Sequence, residues 1–172
     1  MQAKAKTDYR RALAQFATGV TIVTTRAADG IPAGLTVNSF NSVSLDPPLV
    51  LWSLNLNASS LDAFRDCRHY AVNVLAADQL EAAKTFADPN ADRFGMVPWH
   101  AGPFDVPVIE GVVAALIVAN RSQYVEGDHV ILVGEVVTYD APGGPALIFH
   151  DGRYIESATE EPLPKAFSKP WR

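Results

Sequence analysis

A run of hydroxyl and amide side chains lies at residues 36–44, within segments that are otherwise built for burial. Six hydroxyl or amide residues fall within these nine positions: Thr36, Asn38, Ser39, Asn41, Ser42 and Ser44. Buried polar groups need hydrogen-bond partners, because each unpaired group costs roughly 1–3 kcal/mol. The run is therefore either the solvated face of an edge strand or a groove whose donors bind a polar heterocycle.

Other chemistry-bearing residues are scattered. The four histidines (His69, His100, His129 and His150) have no partners at metal-ligand spacing, and the lone Cys67 adds no zinc site. The sequence contains no Gly-x-Gly-x-x-Gly after a strand, no P-loop and no Gly-x-Ser-x-Gly elbow. We therefore predict no metal site and expect catalysis to depend on a bound organic cofactor.

The composition of the 172 residues is that of one globular domain, with 48% apolar and 19% charged residues. A formal net charge of −5 without a basic block argues against nucleic acid or an anionic membrane surface as the partner. A single cysteine does not indicate an oxidising compartment. No segment resembles a signal peptide or a membrane span, so we expect a soluble, cytoplasmic protein.

The N-terminal third begins with a predicted helix over residues 7–18, with Thr7 at its N-cap. Tyr9, Leu13 and Phe16 recur at helical spacing within it. The sequence then turns β-branched and alternating, which predicts a β-meander of short strands. These strands are expected within residues 20–25, 35–45 and 49–54.

The middle third is predicted to be mainly helical. Ser59 or Ser60 caps a helix that ends near Arg68, and a strand follows over residues 69–75. The spacing of Asp78-Gln79-Leu80-Glu81 predicts a capping box, and Asp88-Pro89 predicts a third helix start. Residues 97–111 are rich in proline and glycine, which favours an ordered loop.

The last third returns to strands. Val112–Tyr124 and Val130–Tyr139 predict a long hairpin, and their continuous apolar character indicates strands covered on both faces. Asp151-Gly152 is a type I′ hairpin signal. We predict one domain over residues 1–156, followed by a C-terminal tail or arm over 157–172.

Several motifs along the chain occur together, in order, in one known family. They are Phe16–Thr25, Thr36–Phe40, Ser42–Val50, Val72–Leu75, Phe86-Ala87, Asp92–Phe94, Gly127-Asp128-His129 and Gly152–Tyr154. Through them the chain resembles the short-chain NAD(P)H-dependent flavin reductases, which supply reduced flavin to two-component monooxygenases. Each motif is weak alone, whereas the ordered set is specific.

The resemblance implies where a flavin would lie. Its ring would rest on the backbone and side chains of Thr36, Val37, Asn38 and Ser39, whose fixed donors would favour the reduced, negatively charged ring. The resemblance also implies that the flavin site continues along the next strand, at Ser53, Leu54 and Asn55.

The flavin phosphate would lie at Ser59 and Ser60, where a helix N-terminus suits an anion, although both serines fit a plain N-cap equally well. The family often has Ser-x-Thr here; this chain has Ala58-Ser59-Ser60, which leaves the choice between FMN and FAD open. Packing on the flavin chain would come from Phe86 and Ala87. Two residues, Lys84 and Arg93, are either charge partners of the phosphate or solvated surface charges.

The resemblance also implies that His129 and Tyr154 position the nicotinamide of NADH or NADPH. Neither needs to act as an acid or base, because the hydride passes directly from nicotinamide to flavin. From sequence alone, a histidine at a hairpin tip such as His129 is more often a solvent-exposed turn residue, and only the resemblance favours a role at the nicotinamide.

The predicted fold is therefore mainly β: an antiparallel Greek-key split barrel of six or seven strands with three or four short helices. The resemblance implies a homodimer with flavin near the subunit interface, formed through the apolar strands at 112–139, and diffusive transfer of reduced flavin to an oxygenase. Two alternatives stay open: a flavin- or haem-binding split barrel without reductase activity, and a non-catalytic flavin store or interaction barrel.

Overall fold

The structure, a computed structural model, describes residues 3–156; the predicted tail at 157–172 lies outside the described residues. The helices are α1 Ala3–Ala14, α2 Leu61–Asp66, α3 Leu80–Ala87 and α4 Arg93–Met96. The strands are β1 Thr18–Gly19, β2 Thr21–Arg26, β3 Pro32–Val37, β4 Asn41–Leu45, β5 Pro48–Asn55, β6 His69–Val74, β7 Trp99–Ala101, β8 Pro107–Ile109, β9 Ala114–Glu126, β10 His129–Asp140, β11 Leu147–His150 and β12 Arg153–Glu156.

Seven strands form one antiparallel sheet in the order β3-β2-β6-β9-β10-β5-β4. The two edge strands, β3 and β4, are consecutive in the sequence and are joined by residues 38–40 alone. Such a short connection spans at most roughly 14 Å, so the sheet must curl until its edges lie close together. The prediction of a mainly β, antiparallel split barrel with a few short helices is confirmed.

The predicted β-meander is wrong at one connection. The hairpins β2–β3 and β4–β5 form as expected, but β3 does not pair with β4. A tight hairpin favours Asn-Gly, Asp-Gly or Gly-Gly at its turn, and residues 38–40 are Asn-Ser-Phe. The chain therefore crosses between the barrel edges at this point instead of folding back.

Aromatic side chains fill the barrel interior. Trp52 is fully buried and meets Phe64 and Tyr70 edge to face, with ring centroids 4.9 Å and 5.9 Å apart. Aliphatic residues from facing strands, such as Val23 and Leu132, complete this cluster. The interior is a packed core, so the functional clefts must lie on the outside of the barrel.

The long hairpin β9–β10 is present as predicted, but within the described chain only one of its faces is covered. Along β10 buried residues alternate with half-buried ones, as on a strand with one face on a core. Tyr124 and Val125 on β9 are more than half exposed. The sequence predicts that both faces of this hairpin are covered, but no described part of this chain covers the second face.

Residues 97–111 are a second hairpin, β7–β8, with a 3₁₀ turn at Pro103–Asp105, and not the predicted loop. Its attachment to the barrel depends on the buried amide of Asn73 on β6. The Asn73 Oδ1 accepts a hydrogen bond from the Ile109 N–H, and its Nδ2 donates to the Ile22 carbonyl and the Thr24 hydroxyl. Because these strands depend on partners that are distant in the sequence, the local sequence has no alternating apolar pattern that predicts them.

Several predicted helix boundaries are also wrong. Helix α1 starts before Thr7 and ends at Ala14, because the Ala-Lys repeat ahead of Thr7 is itself helix-forming. The cap residue of α3 is Gln79 and not Asp78. Helix α4 starts after Asp92, whose Oδ1 accepts from the Gly95 N–H, and not at Asp88-Pro89.

A small sheet, β1-β11-β12, closes one end of the barrel. Asp151 and Gly152 both have positive φ, 48° and 73°, as the predicted type I′ turn requires. This turn fixes the register that places Phe149 opposite Tyr154. The register matters because both rings reach the candidate site.

Candidate functional site

The connection between the barrel edges is fixed by Ser39. Its hydroxyl donates to the Ser53 carbonyl (3.1 Å) and accepts from the Ser53 N–H (3.0 Å). The pairing of β4 with β5 ends at Asn41, which lies opposite Leu51. Ser39 is two residues further back and lies opposite Ser53, where its side chain, and not its backbone, makes the hydrogen bonds to β5. The open seam of the barrel is thus held in a defined geometry beside residues 36–39.

An open cleft of about 320 Å³ lies at this seam; we call it the Thr36 cleft. Its lining residues come from the junction of β1 and β2, from β3, from the 38–40 connection, from the end of α3 and from the small sheet: Val20, Thr36, Val37, Asn38, Ala87, Phe149 and Tyr154. Four of them are predicted flavin contacts, at Thr36, Val37, Asn38 and Ala87. Tyr154 was predicted at the nicotinamide, and the structure brings it to the same cleft.

The Thr36 cleft combines apolar walls with backbone donors. The Thr36 hydroxyl is engaged, because it donates to the Ala83 carbonyl of α3 at 2.7 Å. Strand β3 is an edge strand, so every second residue points its N–H away from β2, where no neighbouring strand accepts a hydrogen bond from it. The site therefore offers the backbone of an edge strand next to an apolar wall that includes Val37, Ala87 and Phe149.

A second open cleft, of about 380 Å³, lies further along β3; we call it the Arg93 cleft. Gly34, Ser59, Ser60, Arg93 and Phe94 are among its lining residues. Gly34 and Thr36 are two residues apart on one strand, which is a separation of roughly 7 Å. One extended ligand can therefore occupy both clefts.

Arg93 is the cation of this cleft, and its guanidinium is held by backbone carbonyls. One nitrogen donates to the Gly34 carbonyl at 2.6 Å, and two others donate to the Asp88 carbonyl at 3.0 and 3.1 Å. Partial burial lowers the pKa of Arg93, partly offset by the nearby Asp88 carboxylate. An arginine remains cationic at neutral pH, so the cleft presents an oriented positive charge, beside the carboxylates of Asp29 and Asp92.

Ser59 and Ser60 add two hydroxyl groups to the Arg93 cleft. Ser60 is the N-cap residue of α2, but its side chain makes no capping hydrogen bond. Since neither hydroxyl bonds within the described part of the chain, both are available to an anion beside Arg93. Lys84, the other predicted charge partner, instead pairs with Glu81 at 2.7 Å on the surface of α3.

Phe86 and Leu54 were predicted as cofactor contacts, but both side chains are fully buried and line neither cleft. The Phe86 ring lies under Gly34, where an added Cβ would come within 2.9 Å of it, and meets Phe94 edge to face at 5.1 Å. Phe86 therefore supports the floor between the two clefts, and Leu54 belongs to the barrel core.

The remaining predicted residues form a second group at the ends of β5 and β10. His129 is the cross-strand partner of Asn55, and Ser53 lies two residues along on the same face. The His129 Nδ1 lies 2.7 Å from the Asp128 carboxylate, while Asn55 Oδ1 accepts from the Asn57 N–H. This group lines neither cleft and is linked to the Thr36 cleft through the Ser39–Ser53 hydrogen bonds.

Two aromatic residues that line the clefts, Phe149 and Phe94, were not among the predicted contacts. Phe149 faces Tyr154 with ring centroids 5.3 Å apart, a pairing that the Asp151-Gly152 turn register could have predicted. Phe94 packs against Trp99, five residues further along the chain, with ring centroids 5.6 Å apart; it lies within the Asp92–Phe94 motif, but that motif alone does not assign it a contact. The two rings add aromatic surface to the two clefts.

Two negative findings apply to the described residues. Within residues 3–156, no three histidine, cysteine or acidic side chains group as metal ligands would. None of the helices in that range is long and apolar enough to cross a membrane.

Comparison with known proteins gives a consistent picture. Residues 13–157 match the model of the flavin reductase-like domain. The chain is 42% identical to the FMN reductase (NADH) SmoA of Agrobacterium fabrum, over 86% of this chain and 83% of that protein. It is 40% identical to the reductase component of the flavin-dependent trigonelline monooxygenase of Acinetobacter baylyi over 88% of this chain, but spans only about half (49%) of that relative.

Solved structures agree with the sequence matches. The NADH:FAD oxidoreductase SgcE6 of Streptomyces globisporus, in complex with NAD and FAD fragments, superposes with a TM-score of 0.85 at 39% identity, covering 92% of this chain and 96% of that one. Component B of a nitrilotriacetate monooxygenase from Mycobacterium thermoresistibile gives a TM-score of 0.90 at 30% identity, covering 100% of this chain and 95% of that one.

Proposed function

The chain belongs to the flavin reductase-like domain family, and we propose that it transfers a hydride from NADH, or NADPH, to FMN or FAD. The observation that carries this proposal is the end-to-end arrangement of the Thr36 and Arg93 clefts along β3. One cleft has flat apolar walls with amide donors, and the other has a fixed cation with free hydroxyls. A flavin nucleotide has the matching parts in the same order.

The isoalloxazine ring is proposed to lie in the Thr36 cleft. Its apolar face would contact Val37, Ala87 and Tyr154, and its polar edge would meet the backbone of residues 36–39. When bound, the flavin supplies the hydride-accepting chemistry. The backbone N–H groups of the β3 edge do not have to reorganise to stabilise the negative charge that develops on its polar edge.

The flavin phosphate is proposed to lie in the Arg93 cleft, on the hydroxyls of Ser59 and Ser60 and the remaining donors of Arg93. Arg93 is already oriented by the carbonyls of Gly34 and Asp88, so little side-chain entropy is lost on binding. The cleft extends beyond these groups to Asp29 and Ile31, so its size does not exclude FAD.

His129 and Tyr154 are proposed to position the nicotinamide, as the family likeness implies. Tyr154 lies in the Thr36 cleft, which supports its role directly. His129 lies at the start of β10, and its Nδ1 is within hydrogen-bond distance of the Asp128 carboxylate. Hydride transfer requires only that the two rings be held in contact at roughly 3–3.5 Å, so neither residue is assigned proton chemistry.

The chain is further proposed to act in the cytoplasm as a homodimer that releases reduced flavin to a monooxygenase by diffusion. The names of several relatives support such a partner, among them the reductase component of a 4-nitrophenol monooxygenase from Rhodococcus opacus. Tyr124 on β9 is 55% exposed and lies in register with Ile131 and Ser53. A second copy on this face would lie beside Ser53, Asn55 and His129, which supports a flavin site near the subunit interface.

The test is oxidation of NADH and of NADPH, followed by the near-ultraviolet absorbance of the reduced nicotinamide, with FMN, FAD, riboflavin or no flavin added. We expect oxidation that depends on free flavin, with riboflavin the weakest substrate because it lacks the phosphate. A protein that binds flavin but does not oxidise either nucleotide would contradict the proposal and favour a non-reducing split barrel.

A further inference from the structure

One carbonyl group in the short helix α4 has no partner along the helix backbone. In an α-helix the Phe94 carbonyl would accept from the N–H of residue 98, but that residue is a proline and has no N–H. The Arg93 carbonyl, one position earlier, does accept from the Val97 N–H at 3.2 Å. The Phe94 carbonyl therefore needs a donor from outside the helix.

The Trp99 side chain supplies that donor. Its indole Nε1–H donates to the Phe94 carbonyl at 3.1 Å, and its ring meets the Phe94 ring edge to face, with centroids 5.6 Å apart. A helix of four residues is too short to be stable by itself, so α4 depends on contacts of this kind. Trp99 therefore holds Phe94 through both its backbone and its side chain.

Arg26 holds Trp99 from the opposite end of the contact. Its guanidinium lies over the Trp99 ring, 5.6 Å from the centroid. The same guanidinium donates to the Asp105 carbonyl at 2.7 Å and to the Gly30 carbonyl at 2.9 Å. The two neighbours of Gly30 in the sequence both line the Arg93 cleft. Trp99 is thus fixed within a set of contacts that reaches a second part of that cleft.

Trp99 is half-buried and does not itself line the Arg93 cleft, but the residues it holds do. Phe94 lines the cleft, and Arg93, the residue before it, presents the cation there. The Arg93 side chain reaches from α4 to the Gly34 carbonyl at 2.6 Å. The orientation of α4 therefore decides where the guanidinium lies relative to a bound anion.

We propose that Trp99 is a positioning residue for the flavin phosphate: by holding Phe94 and the short helix α4, it sets the orientation of Arg93 in the cleft. This inference rests on the proposed function, which assigns the phosphate to Arg93. Trp99 lines neither the Arg93 cleft nor the Thr36 cleft. Removing its indole N–H should therefore change recognition of the phosphate and leave binding of the isoalloxazine ring unchanged.

The test is Trp99→Phe, which keeps an aromatic ring beside Phe94 but removes the Nε1–H. The matched control is Trp52→Phe, the same substitution in the barrel core, at a residue that lines neither cleft. Fluorescence titrations give the affinities for FMN and for riboflavin, and urea unfolding shows that each variant is folded. We expect Trp99→Phe to bind FMN about three- to tenfold more weakly, as loss of one hydrogen bond does, and riboflavin within about twofold of the parent. In Trp52→Phe the ratio of the two affinities should stay that of the parent.

A double-mutant cycle with Arg93→Gln distinguishes positioning from a general loss of stability. Once Arg93 is replaced, Trp99→Phe should no longer change the FMN affinity, because both substitutions act on the same contact. If Trp99→Phe does not fold, Arg26→Gln, which removes the guanidinium over the Trp99 ring, takes its place in both measurements.

An unchanged ratio of FMN to riboflavin affinity, or losses in the cycle that simply multiply, would overturn the inference. So would a parent protein that binds FMN no more tightly than riboflavin. A parent protein that shows the expected cycle but oxidises neither NADH nor NADPH contradicts the proposed function alone, since the role of Trp99 is measured by binding.

Discussion

Arg93 joins two elements of the candidate site as well as presenting charge. Its guanidinium links the Gly34 carbonyl on β3 to the Asp88 carbonyl after α3. The Phe94 side chain next to it packs against Phe86 and Trp99. A substitution at Arg93 therefore acts on folding stability and on anion binding together, and the two effects must be measured separately.

Arg93→Gln should lower the free energy of unfolding by about 1–3 kcal/mol, since the carbonyl of the buried Gly34 loses its partner. It should also weaken binding of FMN about tenfold, and binding of riboflavin much less, because riboflavin has no phosphate. Urea unfolding and fluorescence titrations measure the two effects. Lys84→Gln is the control, because the exposed Lys84–Glu81 pair contributes only about 0–1 kcal/mol. If the affinities for FMN and for riboflavin fall equally, Arg93 stabilises the structure of the cleft but does not bind the phosphate.

His129→Ala tests whether the residues at the end of β10 belong to the same site as the Thr36 cleft. We expect a several-fold rise in the KM for NADH with an unchanged Kd for flavin, because His129 is assigned to the nicotinamide. Steady-state kinetics and flavin fluorescence provide the two values. His100→Ala, on the exposed β7 strand, is the control. If NADH use and flavin binding fall together in His129→Ala, the assigned role is wrong.

Among the elements of the fold, the connection from β3 to β4 brings the edges of the barrel together. The hydrogen bonds between Ser39 and Ser53 hold this connection in place. Local turn chemistry predicted the hairpins β2–β3, β4–β5 and β11–β12 well. The neighbours of β6 and the β7–β8 hairpin could not be predicted, since they depend on Asn73 meeting Ile22, Thr24 and Ile109 across the sheet. A single polar residue in a strand carries no information about which distant groups will satisfy it.

Ser39→Ala should destabilise the protein by about 1–2 kcal/mol, because both hydrogen bonds to Ser53 are lost. It should also weaken flavin binding, since the 36–39 backbone is no longer held in place. Urea unfolding and flavin titration are the measurements. The control is Ser42→Ala on β4, an exposed serine whose hydroxyl makes no hydrogen bond within the described chain. If Ser39→Ala and Ser42→Ala have the same free energy of unfolding and the same flavin affinity, the role given to Ser39 is wrong.

At the scale of the whole molecule, the candidate site is assembled from four separate regions of the chain. Val20 lies between β1 and β2, Thr36 on β3 and Ala87 at the end of α3, and Phe149 and Tyr154 come from the small sheet. Their convergence could be anticipated only from the ordered motifs of a family, because no local pattern connects them. The exposure of Tyr9, Leu13 and Phe16 could not be predicted, because their spacing is that of an ordinary packed helix.

The open outer face of β5, β9 and β10 predicts a dimer. Sedimentation velocity should give twice the mass of the chain, and Tyr124→Glu should shift the equilibrium towards the monomer, because a charge then enters an apolar contact. Met96→Glu on α4, which is similarly exposed, is the control and should leave the mass unchanged. A parent protein that sediments as a monomer at micromolar concentration would contradict this assembly.

The central claim is that a flavin ring lies against the backbone of residues 36–39, and a crystal structure of the chain at saturating FMN tests it most directly. We expect the ring in the Thr36 cleft, with its polar edge on the β3 amides and its phosphate between Ser59, Ser60 and Arg93. Flavin bound elsewhere, or a Thr36 cleft closed by side chains in those crystals, would contradict the account.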